Sequence, residues 1–140
     1  MIAIKVNILA VEYPGYGIYR GKISARKLLA DANIVYNYLI ETLKVEEKDI
    51  ILFGRSIGTG AACQVAATHN PALLVLLSPF VSIRAVAKDY VGLVGQYLIK
   101  ERFKNLQLIS QITCPTVFIH GKKDTLIPPR HSQKLFGNFL

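Results

Sequence analysis

With 140 residues, 51% of them hydrophobic and 19% charged, the chain reads as one core-rich globular domain, neither disordered nor low in complexity. Seventeen Lys and Arg against nine Asp and Glu leave a formal charge of +8, compatible with peripheral contact with an anionic membrane surface; the basic residues are scattered without a nucleic-acid motif, which argues against DNA or RNA as a partner. The longest strongly apolar run, 72–77, has six residues against the roughly 20 of a membrane span, and the first eleven, with Lys5 in their middle, do not read as a secretory signal.

Residues 6–12 are apolar at most positions and predict a first strand covered on both faces. The loop Tyr13-Pro14-Gly15-Tyr16-Gly17 ends it. A long helix is expected over 24–43, where Leu28, Leu29, Ala32, Val35, Tyr36, Leu39, Ile40 and Leu43 recur at spacings of three and four and draw one apolar stripe to lie on the sheet. Ile34 and Tyr38 fall off that stripe. After a charged connector, 49–53 predicts a buried strand that runs at once into Gly54-Arg55-Ser56-Ile57-Gly58.

That G-x-S-x-G spacing has a physical reason. A serine on a sharp strand-to-helix turn adopts a strained backbone, and side chains at the flanking positions would collide with the neighbouring helix and strand, so Gly54 and Gly58 must lack them. Ser56 is then presented at the carboxyl end of the sheet, with the Ile57 N–H and a helix N-terminus where an acyl oxyanion would form. A phosphate cradle is the competing reading. The dinucleotide pattern fails because Cys63 stands where the third glycine belongs, and no Gly-Lys-Ser/Thr is present for a phosphate-binding loop.

The helix after the turn is expected to run to about residue 68, stopped by Asn70-Pro71, and 72–78 predicts another buried strand. Alternating strand and helix indicates a parallel α/β sheet with helices on both faces. The stretch 79–105 breaks that rhythm and reads either as a helical cap or as a plain connecting helix pair. A short helix over 106–112, a strand over 115–120, a turn Gly121-Lys122-Lys123-Asp124 and a last helix started by Pro128-Pro129 complete the chain. Cys63 and Cys114 read as small buried hydrophobes in a reducing, cytoplasmic compartment and not as a bridge.

Glu12-Tyr13-Pro14-Gly15-Tyr16-Gly17, the turn 54–58, Ser78-Pro79-Phe80 and His120-Gly121-Lys122-Lys123-Asp124 together resemble the alpha/beta-hydrolase superfamily over about 6–136, most closely its small serine hydrolases of the protein depalmitoylase type, which work at the cytosolic face of membranes. The resemblance implies Ser56 as nucleophile, Asp124 as triad acid, Ile57 as one oxyanion donor, an ester or thioester substrate that is a small molecule or an acylated protein, and neither cofactor nor metal. It also implies a histidine later in the chain than the acid. His69, His120 and His131 do not stand at that place; the resemblance therefore implies a partial domain, lacking the first three strands with the second oxyanion donor and the last strand with the histidine. A gap between residues 6–12 and the strand before Ser56, or a direct pairing of the two, is the expected consequence. A hydrolase-like domain that binds an acyl group or partner without turnover is the alternative.

Overall fold

The computed structural model describes residues 5–139, the side chains of Val94 and Gln96 excepted. Three five- or four-residue strands, β1 (Ile51–Arg55), β2 (Leu73–Leu77) and β3 (Thr116–Ile119), form a parallel sheet in the order β1-β2-β3. Their register brings the carboxyl ends level: Arg55 pairs with Leu77, and Leu77 with Ile119. Whatever follows each strand is therefore delivered to one edge of the sheet.

Among the described residues five α-helices accompany the strands: α1 (Ala25–Asn37), α2 (Gly58–Ala66), α3 (Ile83–Gly95), α4 (Asn105–Ile109) and α5 (Arg130–Phe139). Ser24 caps α1, its hydroxyl accepting from the Lys27 N–H. The helix passes into a π-turn over Tyr38–Thr42, whose wider spacing rotates the pattern. Leu28 and Tyr36 from the predicted stripe are buried, whereas Leu43, beyond the π-turn, is exposed. Cys63 in α2 and Cys114 before β3 are buried and free.

The strands' alternation puts Leu52, Leu74, Leu76 and Phe118 on one face, packed with Ala62, Cys63 and Ala66 of α2, Ile109 of α4 and Leu135 of α5. Among the described residues the helices stack on this side alone. α1 lies against the small residues of α2, Leu28 meeting Ala61 and Tyr36 joining Val65 and Ile50. The opposite face, where helices were also expected, leaves Ile51 57%, Phe53 63%, Val117 43% and Ile119 47% exposed.

Residues 6–12, predicted as a strand, belong to no ladder. Ile8 is 87% exposed. An apolar run acquires strand structure only when a neighbour accepts and donates its backbone hydrogen bonds, and here the run lies apart from β1. An open cavity of about 310 Å³ lies between 9–12 and Tyr19, Asp31, Ile34 and Val35, on the side of α1; among the described residues the direct pairing of this run with β1, one of the two expected outcomes, is not formed.

Most of the stretch 79–105 is helical, which both the cap and the connecting-helix readings allow. Its α3 is interrupted at Gly92, where φ is 72° and ψ −174°, and a single 3-10 turn follows over Gln96–Leu98. Asn105, fully buried, ties the end of the stretch to its beginning by donating to the Phe80 carbonyl at 2.9 Å.

Candidate functional site

The turn from β1 into α2 occupies two residues. Ser56 is left-handed, with φ 49°, a conformation that costs a non-glycine residue about 1–2 kcal/mol. Hydrogen bonds on either side hold it there: the Ser56 N–H donates to the Leu77 carbonyl at 2.9 Å, and the Ser56 carbonyl accepts from the Thr59 N–H at 2.9 Å and from the buried Thr59 hydroxyl at 2.6 Å. Gly54 has no alternative, because a Cβ there would stand 2.7 Å from the Gly58 carbonyl oxygen and 2.8 Å from the Thr59 Cα. Backbone on both sides cannot yield. At Gly58 the missing side chain makes room for a different neighbour, the Tyr13 hydroxyl, 3.3 Å from where a Cβ would be. Among the described residues neither the Ser56 hydroxyl nor the Ile57 N–H has a hydrogen-bond partner.

The carboxyl ends of β2 and β3 bring up the acid. Ser78, the residue after β2, repeats the left-handed backbone with φ 48°, and its N–H donates to the Ile119 carbonyl at 2.8 Å. Its hydroxyl donates to Asp124 Oδ2 at 3.0 Å. Asp124 Oδ1 accepts from the N–H groups of Ile127 at 2.9 Å and Leu126 at 3.0 Å. The Ile127 N–H above all, with the Ser78 hydroxyl, the Leu126 N–H and nearby His120, holds the Asp124 carboxyl below its usual range against the opposing effect of burial. Ser56, Ser78 and His120 thus stand level along one edge, β1 and β3 being two strand spacings, about 10 Å, apart.

Each of the three imidazoles is hydrogen-bonded to a group other than Ser56. His120 Nε2 donates to the Ile127 carbonyl at 2.7 Å and lies 3.7 Å from Asp124; its Nδ1 is buried without a partner among the described residues. His131 Nδ1 accepts from the Val81 N–H at 3.3 Å and its Nε2 donates to Asp89 at 2.9 Å. His69 contacts Asn37, Thr68 and the Val65 carbonyl. Burial tends to raise the Asp89 carboxyl, but Arg130 and His131 outweigh it and hold the group low. Neither Cys63, pushed up to about 12 by burial, nor Cys114, also raised by burial, is poised as a thiolate.

Ser78 stood in the Ser78-Pro79-Phe80 motif of the sequence, but its contact with Asp124 emerges only through the register that levels it with Ser56. Asp89 carries no signal in the one-dimensional pattern and is identifiable only through the folding of α3 onto α5. A small cavity of about 150 Å³ opens beside the turn, lined by Leu28, Ile57, Ile83, Arg102 and Phe103. The larger space along residues 9–12 lies away from this site.

Known proteins share this chain's sequence and fold. The family described as alpha/beta hydrolase of unknown function (DUF1057) matches residues 2–94. The chain is 32% identical over 133 residues to alpha/beta hydrolase domain-containing protein aho-3 of Caenorhabditis elegans, covering 95% of this chain and 39% of that protein. It is 33% identical over 133 residues to alpha/beta hydrolase domain-containing protein 17B of Homo sapiens, covering 95% of this chain and 45% of that one; it thus spans less than half the length of these relatives. A crystal structure of puromycin hydrolase superposes with a TM-score of 0.62 at 16% identity, over 79% of this chain and 19% of the other, a likeness of fold alone. A parallel α/β sheet with a glycine-flanked serine at its carboxyl edge and a family match over 2–94 have one reading: the chain belongs to the alpha/beta hydrolase family.

Proposed function

We propose that the chain carries the nucleophile and acid of a serine hydrolase acting on ester or thioester bonds, protein thioesters included. The observation that supports this most is Ser56 at φ 49° between Gly54 and Gly58, its hydroxyl and the Ile57 N–H without partners among the described residues. In this reading Ser56 Oγ attacks the acyl carbon and gives its proton to an imidazole seated between Ser56 and Asp124. The carbonyl oxygen, now negative, accepts from the Ile57 N–H. Collapse expels the alcohol or thiol, which takes the proton, and water then cleaves the acyl-Ser56 ester. The cavity beside Ile57, about 150 Å³, is smaller than the roughly 300–1,000 Å³ of ordinary ligand clefts and fits a short acyl group or the end of a longer one.

The test is labelling by a fluorophosphonate in the presence of added free imidazole, which replaces the base that none of the three histidines supplies. The expected result is imidazole-dependent labelling that Ser56→Ala abolishes and Asp124→Ala reduces. Labelling that survives Ser56→Ala would overturn the proposal. The hydrogen bonding of each of the three imidazoles to a group other than Ser56 favours a second reading, an acyl- or partner-binding domain without turnover, for which no labelling is expected with or without imidazole.

A further inference from the structure

We infer that the Tyr13 hydroxyl is a second donor to the oxyanion, acting beside the Ile57 N–H; this rests on the acyl-transfer reading of Ser56. The ring is held in place. It packs with Ile57 against the cluster of Leu28, Ala61, Phe80 and Phe103, meets Tyr16 edge to face at 6.3 Å, and its carbonyl accepts from the Tyr16 N–H at 2.9 Å. The hydroxyl thereby reaches the first turn of α2, 3.3 Å from the position of a Gly58 Cβ. Any side chain at residue 58 would crowd it.

Two observations separate this hydroxyl from an ordinary core tyrosine. Buried tyrosine hydroxyls find a partner in the fold, as Tyr36 does with Glu47, and even the exposed Tyr90 hydroxyl donates to the Thr125 carbonyl. Tyr13, half-buried, has none among the described residues. Burial also raises its ionisation above the usual tyrosine range, so the group keeps its proton and can only strengthen as a donor when negative charge develops nearby. Ile57 directly precedes Gly58, beside whose missing side chain the hydroxyl sits, and in this assignment an oxygen bound at the Ile57 N–H comes within its reach. There the hydroxyl donates a hydrogen bond and retains its proton; no bond forms or breaks at Tyr13.

The experiment compares rates of fluorophosphonate labelling of the full chain, with added imidazole, for wild type, Tyr13→Phe, Gly58→Ala and the double variant. As Ser56 Oγ bonds to phosphorus and fluoride leaves, the phosphoryl oxygen takes the oxyanion position. Loss of one such donor slows reaction about 100-fold, the effect expected for Tyr13→Phe, with the thermal midpoint unchanged because the hydroxyl has no partner in the fold to lose. Gly58→Ala, which displaces the hydroxyl, should slow labelling as well, and the double variant no further than Tyr13→Phe alone. Were Tyr13→Phe to fail to fold, the Gly58→Ala rate would still decide, since 3-fluorotyrosine at position 13, a stronger donor, should restore part of its loss. Wild-type rates in Tyr13→Phe, or losses that multiply in the double variant, would overturn the assignment while leaving Ser56 as nucleophile. Absence of labelling in wild type would instead defeat the Ser56 reading, and the role of Tyr13 would fall with it.

Discussion

Two residues bear the local cost of this site, and each is compensated by hydrogen bonds from a neighbouring strand. Ser56 and Ser78 both sit in left-handed backbone at the ends of adjacent strands, and both N–H groups extend the parallel ladder by one rung, to Leu77 and Ile119. The second serine then spends its hydroxyl on Asp124. That contact, with the Ile127 and Leu126 N–H groups, prefers the carboxylate, so the folded-state pKa lies below the usual aspartate value of 3.8. In the interval between the two values the unfolded chain binds more protons than the folded one. The stabilisation is thus complete above about pH 4 and fades as the pH falls towards the folded value. Asp124→Asn should flatten the fall in urea midpoint between pH 5 and pH 3 relative to wild type, with a residual slope from Asp89, whose carboxyl is also held low. An equal slope in the variant would mean that these hydrogen bonds do not favour the ionised form.

At the scale of elements, α3 is strapped to the acid turn and to α5. The Tyr90 hydroxyl lies 2.6 and 2.7 Å from the Thr125 and Leu126 carbonyls, and Asp89 meets Arg130 at 2.5 Å and His131 at 2.9 Å. These two contacts of Asp89 are unequal despite their similar lengths. The Arg130 side chain is 62% exposed, and exposed ion pairs contribute about 0–1 kcal/mol. His131 is 5% exposed, and leaving its N–H unpaired costs about 1–3 kcal/mol. We therefore expect Asp89→Ala to lose about 1–3 kcal/mol in urea denaturation and to speed amide exchange at Val81, whose N–H rests on the same imidazole. Arg130→Ala should lose less than about 1 kcal/mol. Equal losses would show that the strap is electrostatic at the surface instead of a buried hydrogen-bond chain. Beyond Tyr90 α3 is interrupted at Gly92, and the side chains of Leu93 and Leu98 are solvent-exposed.

For the whole molecule, the decisive feature is a sheet with one dressed face. Phe53 and Ile51 on β1, with Val117 and Ile119 on β3, form an apolar surface beside the outer edge of β1, which pairs with no strand among the described residues. Surfaces of this kind drive association through apolar contact and edge pairing, while the formal charge of +8 opposes it through mutual repulsion that salt screens over about 10 Å at 0.1 M. Light scattering should accordingly show self-association that grows as sodium chloride rises from 10 to 300 mM. Phe53→Thr, which keeps a strand-compatible side chain but removes the largest exposed ring of β1, should reduce it. A monodisperse monomer at every salt concentration would show that this face is less adhesive than its composition implies.

Local chemistry was legible from the residues alone: the stripe of α1, the glycines around Ser56, the alternation of strand and helix, and the break in rhythm after β2 all follow from periodicity and from backbone conformations that only certain residues tolerate. These signals act over a few residues, so the chain spells them out in order. Whether residues 6–12 become a strand was not written there, because a strand exists only through a partner's backbone, and the same apolar run serves equally well beside a ladder or apart from one. Nor did the pattern tell which face of the sheet is covered, since β1 and β3 are apolar on both. The levelling of Ser56, Ser78 and His120, the approach of Tyr13 to Gly58, and the capture of His131 by Asp89 from 42 positions away were decided by tertiary structure, because register and packing, unlike periodicity, join residues that have no relation in sequence.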